Sequence, residues 1–322
     1  MTSSLRSHLI VLFILWLLCL PCAGAGHERP VVEGPWWQVA GDPDLGAYTS
    51  EKQQPVDFGI WQAADGSWQI WSCIRYTKCG GHTRLFYRWE GKRLTDTRWK
   101  PMGITMEADT SLGEAKGGLQ APHVFKEGGV YYMVYGDWNR ICLATSTDGK
   151  TFKRVLKADD GEPDLFAGPY PQTRDAMVLK VGGLFYCYYM GHKKDAQYDS
   201  AIFCRTSHDL KQWSEAMMVS AGGIADTQCN WFGGDAECPF VVAKGGLFYL
   251  FRNQLYGRPS LNTQYASPNP LNFGVGHDDF RVGTLAVAAP EMILYEGQYY
   301  IAALMPSLKG IQIARLKWVR PR

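Results

Sequence analysis

Residues 227 to 254 read TQCNWFGGDAECPFVVAKGGLFYLFRNQ. The segment ends as an apolar strand, but its mouth carries Asp235 and Glu237, followed at once by Cys238 and Pro239. An acid at the head of so apolar a run is partly desolvated, which suits it to proton transfer and makes it costly as decoration. Acids recur at the head of similar strands elsewhere, as Asp57, Asp175 and Glu291. Inside those strands acids are rare. Any single one of them could merely cap a turn or accept from an exposed backbone N–H, so their weight lies in the set.

What must position such a set is a repeat. Five hairpins with similar turns occur: ADGSWQIWSC, EGGVYYMVYG, VGGLFYCYYMG, KGGLFYLFRN and YEGQYYIAAL. Their second turn residues are Gly66, Gly129, Gly183, Gly246 and Gly297. An apolar strand precedes each turn and an aromatic strand follows it, the pattern of a β-hairpin with positive-φ turn residues. Three hairpins are followed by STDGKTF, SHDLKQW and SPNPLNF, each with Ser, an Asp or Asn turn and an aromatic six residues after the Ser. Ser and Asp close such turns through side-chain to backbone hydrogen bonds. Helical periodicity is almost absent. The reading is an all-β chain, a five-bladed β-propeller of four-stranded blades, with RPVVEGPWWQVAG closing the ring against the last blade. A β-sandwich is the alternative, but it has no need of five similar repeats.

In a propeller the first strand of each blade lines the axis, so functional residues should stand just before its apolar run. Nine residues before the marker glycines stand Asp57, Gln120, Arg174, Glu237 and Ala288. Eight before stand Phe58, Ala121, Asp175, Cys238 and Ala289, and six before stand Ile60, His123, Met177, Phe240 and Glu291. Asp57 and Asp175 thus differ by one in offset. Neighbouring strand residues face opposite ways, so a bulge or bend must reconcile them.

These segments resemble those of the five-bladed propeller glycoside hydrolases, families 32, 43 and their relatives. TRDAMV is similar to an Arg-Asp-Pro motif, with Ala176 where Pro is usual, and AECPF is similar to a Glu-Cys motif. SHDLKQW resembles a Ser-x-Asp-Leu-x-x-Trp turn of these families, while QPVDFGIW lacks the Asp-Pro that usually marks the first acid. The resemblance spans about residues 50 to 318. It implies a glycosidase with Glu237 as general acid, Asp57 as base or nucleophile, and Asp175 holding substrate hydroxyls and keeping Glu237 protonated. Arg174, beside Asp175, could orient it or bind a sugar oxygen, and the places of His123 and Glu291 near the axis make them candidates for substrate contact. A histidine such as His123 is more often a satisfied structural residue than a ligand, and Glu291 could equally be a solvated rim residue. Trp61, Trp138 and Trp231 are candidates to stack on sugar rings, although most propeller tryptophans pack between blades. The alternative function is a catalytically inactive carbohydrate-binding propeller; a third is an interaction propeller with no sugar ligand.

Composition narrows the partners. With 33 Lys and Arg against 31 Asp and Glu, the net charge is +2, and no basic run is present. Nucleic acid and anionic membranes are therefore not expected partners. Twelve Trp and seventeen Tyr without basic excess lean toward a flat polar ligand such as an oligosaccharide or polysaccharide. Arg6 and His8, the apolar run from Leu9 to Leu20, Pro21 and the small residues around Ala25 read as a signal peptide over 1–25. Residues 26–322 are then one exported, monomeric propeller domain, periplasmic or extracellular, with no membrane attachment after cleavage. Seven cysteines follow the leader, and Cys73 with Cys79 and Cys229 with Cys238 are the local pairs to test as disulfides. No metal-ligand spacing and no cofactor motif appear. Some relatives hold a calcium or sodium ion in the central channel, with no sequence motif for one here.

Overall fold

The structure is a computed structural model that describes residues 27–229 and 235–320. The expected leader, 1–25, and Trp231 lie outside the described residues. β1 (Arg29–Gly41) comes first. Blade one holds β2 (Gln54–Gln62), β3 (Trp68–Arg75), β4 (Leu85–Gly91) and β5 (Lys100–Met106). Blade two holds β6 (Gln120–Glu127), β7 (Val130–Gly136) and β8 (Arg140–Ser146), with β9 (Lys153–Arg154) and β10 (Asp164–Ala167) sharing its outer edge. Blade three is β11 (Gln172–Val181), β12 (Leu184–His192), β13 (Ser200–Ser207) and β14 (Met217–Ala221). Blade four is β15 (Glu237–Lys244), β16 (Leu247–Leu255), β17 (Leu261–Ser267) and β18 (Arg281–Leu285). β19 (Glu291–Tyr295), β20 (Gln298–Leu304) and β21 (Gly310–Val319) make blade five, whose fourth strand is β1 paired to β21. The chain thus closes its own ring, as an all-β, five-bladed propeller. The inner strands β2, β6, β11, β15 and β19 pack in succession around the axis.

Turn chemistry explains the hairpins. Between inner and second strands, four blades use two-residue turns with positive φ at both positions: Gly128–Gly129, Gly182–Gly183, Gly245–Gly246 and Glu296–Gly297. That twist matches the right-handed twist of the strands. Blade one instead spends residues 63–67 on its turn. The Ser–Asp turns join third and fourth strands. Gly149 N–H donates to Ser146 Oγ at 2.8 Å, while Asp148 Oδ1 accepts from Lys150 and Thr151 N–H at 2.7 and 2.8 Å. Ser207 and Asp209 repeat this, and their turn is followed by Trp213, which packs on Phe166.

Aromatics fill the wedges between blades. Trp61, Trp71 and Phe152 meet between blades one and two, with Trp71 and Phe152 5.2 Å apart between ring centroids. Burying each such side chain contributes about 1.5–3 kcal/mol. All seven described cysteines are free, so neither expected local disulfide forms. Cys73 is buried and donates its thiol to the Leu119 carbonyl, and Cys238 turns its sulfur toward the axis instead of toward Cys229.

Candidate active site

One backbone device repeats at the axis. Asp57, Ala121, Asp175, Cys238 and Ala289 all have positive φ, of 39°, 43°, 58°, 42° and 45°. Non-glycine residues rarely adopt this conformation, and it marks functional sites when the surroundings enforce it. In blades one to four the ladder shifts register across the same residue, so each inner strand is bulged there. The structural equivalents are therefore Asp57 with Asp175 and Cys238, not Asp57 with Glu237. The longer turn of blade one displaces its marker glycine by one, which produces the offset of nine.

The bulge lets two consecutive residues of a strand serve the axis. Residues just before it, Gln120, Arg174 and Glu237, look into a cavity of about 490 Å³ at one mouth of the ring. Asp57 also lines that cavity, together with Arg75, Tyr76, Arg84, Trp138, Gln172, Tyr256 and Leu308. Bulge residues form the constriction below, and beyond it the axis narrows to a channel of about 30 Å³. Asp175 lines this narrow section and lies behind the cavity wall.

Hydrogen bonds through Cys238 join Asp57 to Asp175, while Glu237 is held by Arg174, whose Nε lies 4.0 Å from Asp175 Oδ2. Asp57 Oδ1 accepts from the Cys238 thiol at 3.1 Å and from the Tyr256 hydroxyl at 3.2 Å. Asp175 Oδ2 accepts from the Cys238 backbone N–H at 3.2 Å. Arg174 Nη2 donates to Glu237 Oε1 at 2.7 Å, and its Nη1 donates to Gln172 at 3.0 Å. Burial, helped by the neighbouring Asp57 charge and opposed by Arg174, pushes Asp175 up to about 7. Burial raises Glu237 above the ordinary carboxylate range too; Arg174 pulls it back and Asp57 adds to the rise. The Cys238 thiol and the Tyr256 hydroxyl are held well above their usual values by burial and by the nearby carboxylates, so both remain proton donors to Asp57.

The remaining candidates separate. Arg174 and Trp138 line the cavity. Trp138 has φ 91° and stacks on His82 at 3.9 Å, so one ring face is already covered. Trp61 does not reach the cavity: it is 6% exposed, donates its indole N–H to Gly149 O at 2.8 Å and belongs to the wedge between blades. His123 and Glu291 face each other in the narrow channel, Nδ1 to Oε1 3.7 Å, beyond the constriction and off the cavity wall. Both had been expected at the substrate; two residues past the bulge, the strands have already carried them down the axis.

Several lining residues escaped the sequence reading. Gln120 stood in the row nine before the marker, but without a charge it drew no notice. Tyr256 follows β16 directly, in a stretch that carries no repeat marker. Arg75, Tyr76 and Arg84 come from a loop of blade one that repeats nowhere else in the chain.

An axial calcium or sodium ion would need oxygens. The narrow channel of about 30 Å³ is lined by His123 and Glu291, with Asp57 and Asp175 at its constriction, and is walled by Pro122, Met177, Phe240 and Pro290. Calcium takes six to eight oxygen ligands, and His123 and Glu291, which face each other, do not by themselves fill that shell. Among the described residues, Asp57, Asp175 and Cys238 form the axial group with three ligand atoms within 4.8 Å of one another; Cys238 engages Asp57 Oδ1 and Asp175 Oδ2, while Asp175 Oδ1 has no hydrogen-bond partner.

No family model matches the chain, and no curated protein matches it in sequence. Solved structures do match in shape. A thermostable family-43 glycoside hydrolase superposes with a TM-score of 0.60 at 17% identity, over 84% of this chain and 90% of that one. The GH43_1 enzyme from Xanthomonas citri, complexed with xylotriose, gives 0.59 at 15% identity over 86% and 90%. The endo-arabinase from Bacteroides thetaiotaomicron VPI-5482 gives 0.59 at 13% identity over 87% and 98%. At these identities the similarity establishes the fold: the chain is built as the family-43 glycoside hydrolases are.

Proposed function

We propose that this protein is an exported, monomeric glycoside hydrolase acting on an oligosaccharide or polysaccharide. The observation that carries the reading is that Asp57 and Glu237, from blades one and four, line the same axial cavity while Asp175 stands behind it, joined to Asp57 through Cys238. Glycosidic cleavage needs one carboxyl group that gives a proton to the leaving oxygen and one carboxylate on the other side of the bond. Glu237, raised by burial, serves as the acid. Asp57 serves as base or nucleophile, oriented by two donors on one oxygen. Asp175 fixes the backbone of Cys238. The apolar leader supports export, and closure of the ring within one chain supports a monomer.

Replacing Glu237 by Gln tests the acid. General acid catalysis contributes about 10²–10⁴-fold. The variant should lose that factor on a substrate with a sugar leaving group and much less on an activated aryl glycoside, whose leaving group needs little protonation. Equal rates for wild type and variant on the natural type of linkage would end the assignment.

A specific observation favours a second reading. The guanidinium of Arg174 lies on Glu237 at 2.7 Å, a pairing that opposes protonation of the acid. If substrate does not displace that contact, the cavity holds sugar without cutting it. Calorimetric binding with no product over days would favour this carbohydrate-binding propeller.

A further inference from the structure

The cavity carries more positive charge than acid chemistry requires. Arg75 and Arg84 both line it, and neither pairs with a carboxylate among the described residues. Arg140, Arg154 and Arg252 pair with Asp137, Glu114 and Asp235, and the part-buried Arg88 and Arg205 donate to backbone carbonyls instead. Arg75 is held in place by Gln54, whose Oε1 accepts from Nε and Nη2 at 2.9 and 2.7 Å. Its guanidinium stands 5.0 Å from the centroid of the Tyr76 ring. The Arg84 guanidinium lies 5.1 Å from the Trp138 ring, and its Nε is buried without a hydrogen-bond acceptor.

These groups are fixed to the scaffold. The loop between them closes on itself, with Thr77 N–H donating to Thr83 O at 3.0 Å. It is also tied to blade two, His82 N–H donating to Lys116 O and Arg84 N–H to Gly117 O, each at 2.9 Å. Contact there is so close that a Cβ on Gly81 would lie 1.9 Å from Lys116 O, and one on Gly117 would lie 2.3 Å from Gly80 O. Tyr76 and Thr83 take positive φ, 60° and 64°, where the loop leaves and rejoins its strands.

A neutral sugar that covered two unpaired guanidinium groups would strip their water and return only hydroxyl acceptors. A carboxylate or sulfate returns charge-assisted, bidentate hydrogen bonds to planar forks already oriented for them. Asp57 and Glu237 do not supply that partner, because Cys238 and Tyr256 occupy the first and Arg174 the second.

We propose that the substrate is an anionic glycan, and that Arg75 and Arg84 bind the carboxylate or sulfate of one of its sugars beside the cleavage point. This inference rests on the reading of the cavity as a sugar site.

The experiment is titration calorimetry with the Glu237→Gln protein, which slows turnover, against three oligosaccharides of equal length: uronate-bearing, sulfated, and neutral by carboxyl reduction. The same titrations use Arg75→Gln and Arg84→Gln on that background, singly and together, with melting curves to check the fold. We expect one of the two anionic sugars to bind at least tenfold tighter than the neutral one, and that arm identifies the anion. Each single substitution should shrink the preference and the double substitution abolish it, with raised salt acting in the same direction. Equal binding of neutral and anionic sugars, or a preference that survives the double substitution, overturns the inference. Hydrolysis of the neutral sugar by wild-type protein together with no anion preference would defeat this inference alone and leave the glycosidase standing. Binding of none of the three sugars would defeat both.

Discussion

Asp175 touches the narrow section of the axis and not the cavity, yet its charge state sets a limit on how the site behaves with pH. Its carboxyl is pushed up to about 7 by burial and by Asp57, whereas in the unfolded chain it ionises at about 3.9. A group raised in this way binds its proton more firmly when folded. Stability is therefore fully supported below pH about 4, and is lost progressively as pH rises toward 7. Asp175→Asn removes the titration while keeping an acceptor for the Cys238 N–H. Its unfolding free energy at pH 8 should exceed that of wild type by about 1–3 kcal/mol, and the gap should close near pH 4. Denaturant melts at the two pH values measure it; a variant less stable at pH 8 would mean that the Asp175 charge is compensated. Residues of this kind were legible in the sequence because acids are rare in apolar strands. Trp61 was not, because a tryptophan at a strand end reads the same whether it faces the axis or the next blade.

The two acids of the DAEC segment divide their work at the level of the strand that follows them. Glu237 faces the cavity, whereas Asp235 turns back and pairs with the fully buried Arg252 of β16, Nη2 to Oδ2 3.0 Å, while Arg252 Nε donates to the Asp235 carbonyl at 2.7 Å. This pair pins the segment leading into β15 against its own hairpin, and so fixes where the bulge begins. Removing one member of a buried pair leaves an uncompensated charge and costs about 3–5 kcal/mol. Asp235→Ala should destabilise by that amount in chemical denaturation. An effect under about 1 kcal/mol would mean that water reaches Arg252. The bulge itself was only half legible. The sequence demanded some bend to reconcile Asp57 with Asp175, but the equivalence of Asp57, Asp175 and Cys238 was hidden by the five residues that blade one spends on its turn, 63–67.

Across the whole ring, closure depends on β1 completing blade five beside β21. Val39 and Ala40 at its end are almost fully buried. Deleting residues 26–41 exposes the edge of β21 and opens the apolar interior of the last blade. The melting temperature should fall by about 10 °C or more, and the transition should broaden. An unchanged melt would show that blade five stands as a three-stranded unit. Ring closure and blade number could be read from hairpins and turns because each blade repeats the same local chemistry. The cavity wall contributed by 75–84 could not, since that loop belongs to one blade and its arginines acquire meaning only when the ring places them in the same cavity as Glu237.

The most direct test of the account follows hydrolysis by proton NMR. Purified wild-type protein and Glu237→Gln are incubated side by side with oligosaccharides bearing uronate, sulfate or neither. The account predicts new reducing-end anomeric signals with wild type, slowed by about 10²-fold or more in the variant. No new signals with wild type while the same sugars bind, or equal release by both proteins, would contradict it.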